Sequence, residues 1–200
     1  MSGAALRLTD VACLRGGRML FRGVSLRLGP GDGALLTGPN GIGKSSLLRI
    51  CAGLLPAFAG TVERSGAVAL TDERLALDMD VPLAGALRFW AGLGRAEQTA
   101  GDRALQAMAL TRLADVPVRM LSTGQRKRAM LARVIASGAP LWLLDEPGNG
   151  LDAASIDLLG AAVAGHLAAG GIVVAASHQP LPIAAPVTVA IDAHLAEEEE

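Results

Sequence analysis

Gly38-Pro39-Asn40-Gly41-Ile42-Gly43-Lys44-Ser45 decides the fold of this 200-residue chain. The stretch fills every fixed position of the pattern G-x-x-x-x-G-K-[ST]. Its setting agrees: Ala34-Leu35-Leu36-Thr37 reads as a short buried strand before it, and a helix is predicted from about Lys44 to Ala52 after it. Glycines let the backbone wrap closely around phosphate oxygens, and a helix N-terminus adds its positive end. Lys44 is the candidate to bridge the β- and γ-phosphates. The Ser45 hydroxyl is the candidate for a Mg²⁺ position, with Ser46 beside it. A glycine-rich strand-to-helix turn with a chance lysine would leave the full match unexplained. The motif predicts nucleotide binding but does not choose among kinases, GTPases and ATPases.

Downstream, Leu141-Trp142-Leu143-Leu144-Asp145-Glu146 is an apolar strand ending in two carboxylates. At such a tip Asp145 can hold Mg²⁺, usually through water, and Glu146 can polarise an attacking water. Two solvated acids at a strand end would be the bland reading; the phosphate loop favours the functional one. Ser122-Thr123-Gly124-Gln125 is by itself a capping box that opens a helix. Asp152, after Gly150-Leu151, is a plausible N-cap.

Around these motifs the chain alternates. Strands are predicted at Leu6–Cys13, Val24–Leu28, Ala34–Thr37, Ala67–Leu70, Leu141–Leu144 and Ile172–Ala176. Helices are predicted at Lys44–Ala52, Leu83–Gly92, Asp102–Leu113, Gln125–Ile135 and Asp152–Ala169. Strand-helix-strand texture implies an α/β fold with a mainly parallel sheet covered by helices. The helical stretch from about residue 75 to 137 reads as an insertion on that core, making one domain of the whole chain. Residues 193–200, ending in four glutamates, read as a disordered acidic tail.

Composition limits the functions. With 51% hydrophobic and 18% charged residues the chain is globular, and a net charge of −1 calls for neither nucleic acid nor an anionic membrane. Arg112, Arg119, Arg126, Lys127, Arg128 and Arg133 form a basic neighbourhood, but few aromatics are present to stack bases, so a solvated helix face near the nucleotide phosphates or a partner is expected. Cys13 and Cys51 show no disulfide, metal or haem-attachment spacing and suit a reducing compartment. The N-terminus lacks a secretory pattern. Leu158–Ala176 approaches the length of a membrane span, but Gly170-Gly171 divides it into a buried helix and a buried strand.

Leu121-Ser122-Thr123-Gly124-Gln125 ends 20 residues before Asp145 and resembles the Leu-Ser-Gly-Gly-Gln sequence of ABC ATPases, with Thr123 replacing the first glycine. The resemblance covers essentially the whole chain. It implies a P-loop NTPase of ABC ATPase type with an N-terminal antiparallel β part and an inserted helical subdomain. It further implies an ATP-sandwich homodimer with Mg²⁺, in which Ser122, Thr123, Gly124 and Gln125 cap the γ-phosphate of the opposite protomer. Gly150-Leu151-Asp152 matches the family's interface-crossing loop, and His178, after Ile172–Ser177, matches its switch histidine. Integral-membrane transporter subunits on separate chains are the implied partners.

Two positions depart from the family. No aromatic occupies Cys13–Arg18, where the family stacks adenine. Thr71-Asp72-Glu73-Arg74 stands where the family has a glutamine, with Glu73 or Asp72 the candidate stand-in at the metal. A narrower resemblance rests on Leu87–Trp90, Val116–Ser122 and Ser177–Leu181. These segments are similar to the haem-exporter ATPases of cytochrome c maturation. That likeness implies a peripheral protein on the cytoplasmic face of a bacterial inner membrane, serving haem export or release. A transporter of another substrate and a soluble ABC-type ATPase are the alternatives.

Overall fold

The computed structural model describes residues 3–72, 75–94, 96–178 and 181–195. In chain order the first elements are β1 (Ala5–Arg15), β2 (Arg18–Leu28), β3 (Gly33–Thr37), α1 (Lys44–Ala52), β4 (Ala59–Ser65) and β5 (Val68–Thr71). Three helices follow: α2 (Leu83–Leu93), α3 (Ala100–Ala107) and α4 (Thr123–Ala136). The chain then runs through β6 (Leu141–Asp145), α5 (Ala153–Ala168), β7 (Ile172–Ala176) and β8 (Val187–Ala190).

The strands form two sheets. An antiparallel one has the order β2-β1-β4, and a parallel one the order β5-β6-β7-β3-β8. Strands buried on both faces read as continuous apolar runs, and β6 and β7 do so. Side chains alternate across β6. Leu141 and Leu143 join a core with α1 and the antiparallel sheet, while Trp142 and Leu144 join one with α2 to α5. The sheet is thus covered on both sides, and α2 to α4 lie between β5 and β6 in sequence, as an ABC-type α/β fold requires.

Most predicted elements appear within a residue or two. The Leu158–Ala176 stretch is α5 followed by β7, broken by a left-handed Gly170 with φ 82°. Among the described residues no helix is long and apolar enough to cross a membrane. The expected helix Asp102–Leu113 is corrected: α3 stops at Ala107, and a 3-10 turn takes Thr111–Leu113. Ala109 adopts φ 52°, and the amides of Leu110 and Ala109 donate back to Leu105 O (2.7 Å) and Gln106 O (3.1 Å). This is a Schellman ending built on alanine where glycine is usual. Strands β4 and β8 were not foreseen. Residues 191–194 form a last 3-10 turn, and 196–200 lie outside the described residues.

Candidate active site

The site gathers at the C-terminal ends of β3, β6 and β7, where loops leave a parallel sheet. After β3 the backbone passes through Gly38, Gly41 and Gly43 at φ 130°, 79° and 117°. At Gly43 both conformation and space demand glycine, because a Cβ there would come 2.9 Å from the Phe21 ring. The loop is thereby pressed against the antiparallel sheet. Lys44 opens α1 and is only 6% exposed; its Nζ donates to the carbonyls of Gly38 at 2.6 Å and Pro39 at 3.0 Å. The buried ammonium is held over the loop it would help to line with phosphate.

Strands β6 and β7 pair in parallel with Asp145 opposite Ala176. Residues just past the two strands are therefore neighbours. Glu146 and His178 meet this way, with His178 Nδ1 2.8 Å from Glu146 Oε2. Glu146 is held in the left-handed region at φ 45°, a conformation that costs a non-glycine residue about 1 kcal/mol. Its N–H donates to Ala176 O at 2.9 Å, and its carbonyl accepts from Asn149 N–H at 3.1 Å.

Asp145 is tied from the other side, its N–H donating to Thr71 Oγ1 at 3.3 Å across from β5. Burial raises the Asp145 carboxyl above the ordinary carboxylate range; a hydrogen bond with Ser45 and the Arg49 charge pull it back, while Glu146 and Asp72 push it up. Asp72 stands 3.9 Å from Arg49 Nη2. Glu73 lies outside the described residues.

These groups ring two adjoining cavities. One, of about 350 Å³, is lined by Asn40, Lys44, Ser45, Ser46, Glu146 and His178, with Leu20 as an apolar wall. The other, of about 320 Å³, has Ser45, Thr71, Asp72, Lys127, Asp145 and Glu146 around it. The phosphate loop and both strand-end carboxylates foreseen from sequence thus come together. Leu20 and Asn149 were missed, since nothing in their local sequence marks them, and Thr71 lay in the quoted Thr71–Arg74 stretch without being singled out.

Ser122, Thr123 and Gly124 are exposed at the N-terminus of α4 and line neither cavity. The capping box is formed: Gln125 N–H donates to Ser122 Oγ at 3.3 Å, and Ser122 N–H to Gln125 Oε1 at 2.8 Å. Asp152 caps α5 by accepting from Ser155 N–H at 2.8 Å; hydrogen bonds from the Ser155 side chain and then from its N–H lower the carboxyl pKa.

The basic neighbourhood is only in part a solvated face: Arg112 and Arg119 are exposed, and Lys127 lines a cavity with Ser45 and Glu146. Arg133 is buried, lies over the Trp90 ring at 4.7 Å and donates to Leu70 O; burial lowers its pKa. Arg126 donates to Arg119 O at 2.7 Å, and Arg128 to Met108 O at 3.0 Å. Arginines here finish helix ends and loops. Both thiols are buried, and burial pushes Cys51 up to about 12, so neither side chain is poised to react.

The family profile described as "ABC transporter" matches residues 21–149. A cytochrome c biogenesis ATP-binding export protein of Novosphingobium aromaticivorans is 58% identical over 96% of this chain and 97% of its own length. The protein of the same name from Sphingopyxis alaskensis is 57% identical over 89% and 92%. In fold, the chain is similar to an ABC transporter ATP-binding protein of Pyrococcus furiosus, with a TM-score of 0.83, 20% identity, and coverage of 96% of this chain and 100% of that one. The chain belongs to the ABC transporter family and, within it, to the family of the cytochrome c biogenesis ATP-binding export proteins.

Proposed function

We propose that this protein is the ATP-hydrolysing subunit of a haem export or release system for cytochrome c biogenesis. The observation that carries the chemistry is the meeting of Lys44, Ser45, Glu146 and His178 around one cavity, with Glu146 and His178 2.8 Å apart. Membership in the family of cytochrome c biogenesis export proteins supports the biological role.

Lys44 leaves the Gly38 and Pro39 carbonyls to bind the β- and γ-phosphates, while the loop from Gly38 to Gly43 and the start of α1 with Ser46 wrap them. Glu146 takes the proton of the attacking water. His178, bonded to the same carboxylate, orients it and senses the γ-phosphate. Mg²⁺ suits the donors on hand. Ser45 and Asp145 supply one hydroxyl and one carboxylate. Mg²⁺ characteristically takes one or two protein oxygens and leaves the rest to phosphate and water. Bound there, it would neutralise charge that develops between the β- and γ-phosphates.

Ser122, Thr123, Gly124 and Gln125, together with Asp152, complete the site of a second copy, so that ATP closes a homodimer. Residues 75–137 act as a subdomain inserted in a single ABC ATPase domain. The protein works at the cytoplasmic face of a bacterial inner membrane, bound to integral-membrane subunits of the haem machinery.

Replacing Glu146 by Gln tests both levels. ATP binding is expected to persist while turnover falls by about 100-fold or more; normal turnover would remove Glu146 as the base. The ATP-loaded variant, purified gently from native membranes, is expected to bring haem-handling membrane subunits with it. Recovery of a different permease would keep the ATPase and discard haem.

A further inference from the structure

Lys127 sits in the second turn of α4 and is one of only two lysines in the chain. Its ammonium donates to the backbone carbonyl of Asn149. Asn149 closes a tight turn by donating its own N–H to Glu146 O. The turn is unusual in its backbone: Glu146 at φ 45° and Gly150 at φ 67° are both left-handed. Such conformations persist only where the surroundings over-determine them. The Glu146 N–H to Ala176 O bond holds the near end, and Lys127 holds the far end. A Cβ at residue 150 would run into Lys127 Nζ, so the glycine serves both its φ and the seat of the ammonium. Asp72, Asp145 and Glu146 face the same cavity as Lys127, an acidic setting that draws the ammonium to this end of the sheet.

We propose that Lys127 is a positioning residue that locks the Glu146 turn to α4, the helix whose N-terminus carries Ser122 and Gly124. The inference rests on Glu146 being the base and on α4 serving a second copy. On that footing, a protomer's base for its own nucleotide and its cap for the partner's are joined through the hydrogen bond of Lys127 to Asn149 O. Displacement of α4 on closure is passed to the turn that aims Glu146, and misaiming of about 1 Å is enough to cost a large factor in rate.

The test uses the full chain with its membrane subunits and compares Lys127→Met, Lys127→Arg and Gly150→Ala. Lys127→Met is expected to hold ATP with a Kd within about twofold of the parent while kcat falls about tenfold or more, a loss confined to the transition state. Lys127→Arg keeps the donor and recovers most of the rate. Gly150→Ala, which displaces the ammonium and strains the left-handed backbone of the same turn, lowers kcat as well. An unchanged kcat in Lys127→Met would overturn the proposal, and so would a loss of ATP affinity in step with rate or a failure of arginine to rescue. Turnover by Glu146→Gln would instead fault the assignment of Glu146. An inactive Glu146→Gln beside a fully active Lys127→Met would sink only the positioning role.

Discussion

The two ends of β6 carry opposite chemistry. Asp145 finishes the strand among carboxylates, Lys127 and hydroxyls. Three residues back, Trp142 opens on a cavity of about 540 Å³ walled by alanines and glycines, larger than either cavity of the active site. There Trp142 stacks on His166, ring centroids 3.8 Å apart at 12°, and His166 Nε2 lies 3.2 Å from Pro140 O. Size does not mark the site. Polar groups converge at the end where parallel strands deliver successive loops, and there the backbone is held left-handed at Glu146.

The sharpest break of this contrast is Trp142→Ala. Truncating a 6%-exposed indole is expected to cost about 3–5 kcal/mol of stability, read by denaturant unfolding, while the folded fraction keeps its kcat. A selective loss of kcat would mean the two ends are coupled. Lys44→Ala works at the other end. It is expected to weaken ATP binding by about 10- to 100-fold, the 1.5–3 kcal/mol of a charged hydrogen bond, with little change in unfolding. Unaltered affinity would sink the phosphate-loop assignment.

Asp145→Asn sharpens the contrast through pH. Burial raises this carboxyl above its unfolded value, so the folded state prefers it protonated. The stability it contributes is complete below the unfolded pKa of about 4 and is lost as pH rises through the raised folded value. The asparagine variant without nucleotide is therefore expected to melt slightly higher than the parent at pH 7 and equally at pH 3. The smallest effect belongs to His166, whose pKa burial lowers. Its contribution is present above the unfolded pKa of about 6.5 and fades as pH falls below it. His166→Gln is expected to flatten that part of the melting profile.

Legibility in the sequence followed the same divide. The phosphate loop and the Asp145-Glu146 strand end could be read because their chemistry is local, and His178 only through its likeness to the family's switch histidine; parallel pairing of β6 and β7 then brings Glu146 and His178 together. The Trp142–His166 stack could not, because its partners are 24 residues apart and meet only through packing of α5 on the sheet. Strand β4, Ala59–Ser65, is exposed along most of its length and has no apolar alternation to betray it. Strand β8 is four residues long and follows a proline. The end of α3 rests on Ala109 in a glycine's conformation, a choice made by tertiary contacts such as Arg128 donating to Met108 O.

The two lysines have a practical corollary for chemical labelling. Each side-chain amine in the protein is engaged with backbone carbonyls, Lys44 on the phosphate loop and Lys127 on the turn after Glu146. An acylating reagent thus meets no lysine serving as an idle surface handle. Side-chain acylation becomes a footprint of nucleotide occupancy and turn geometry, and amine crosslinkers are poor tools for mapping this subunit's neighbours.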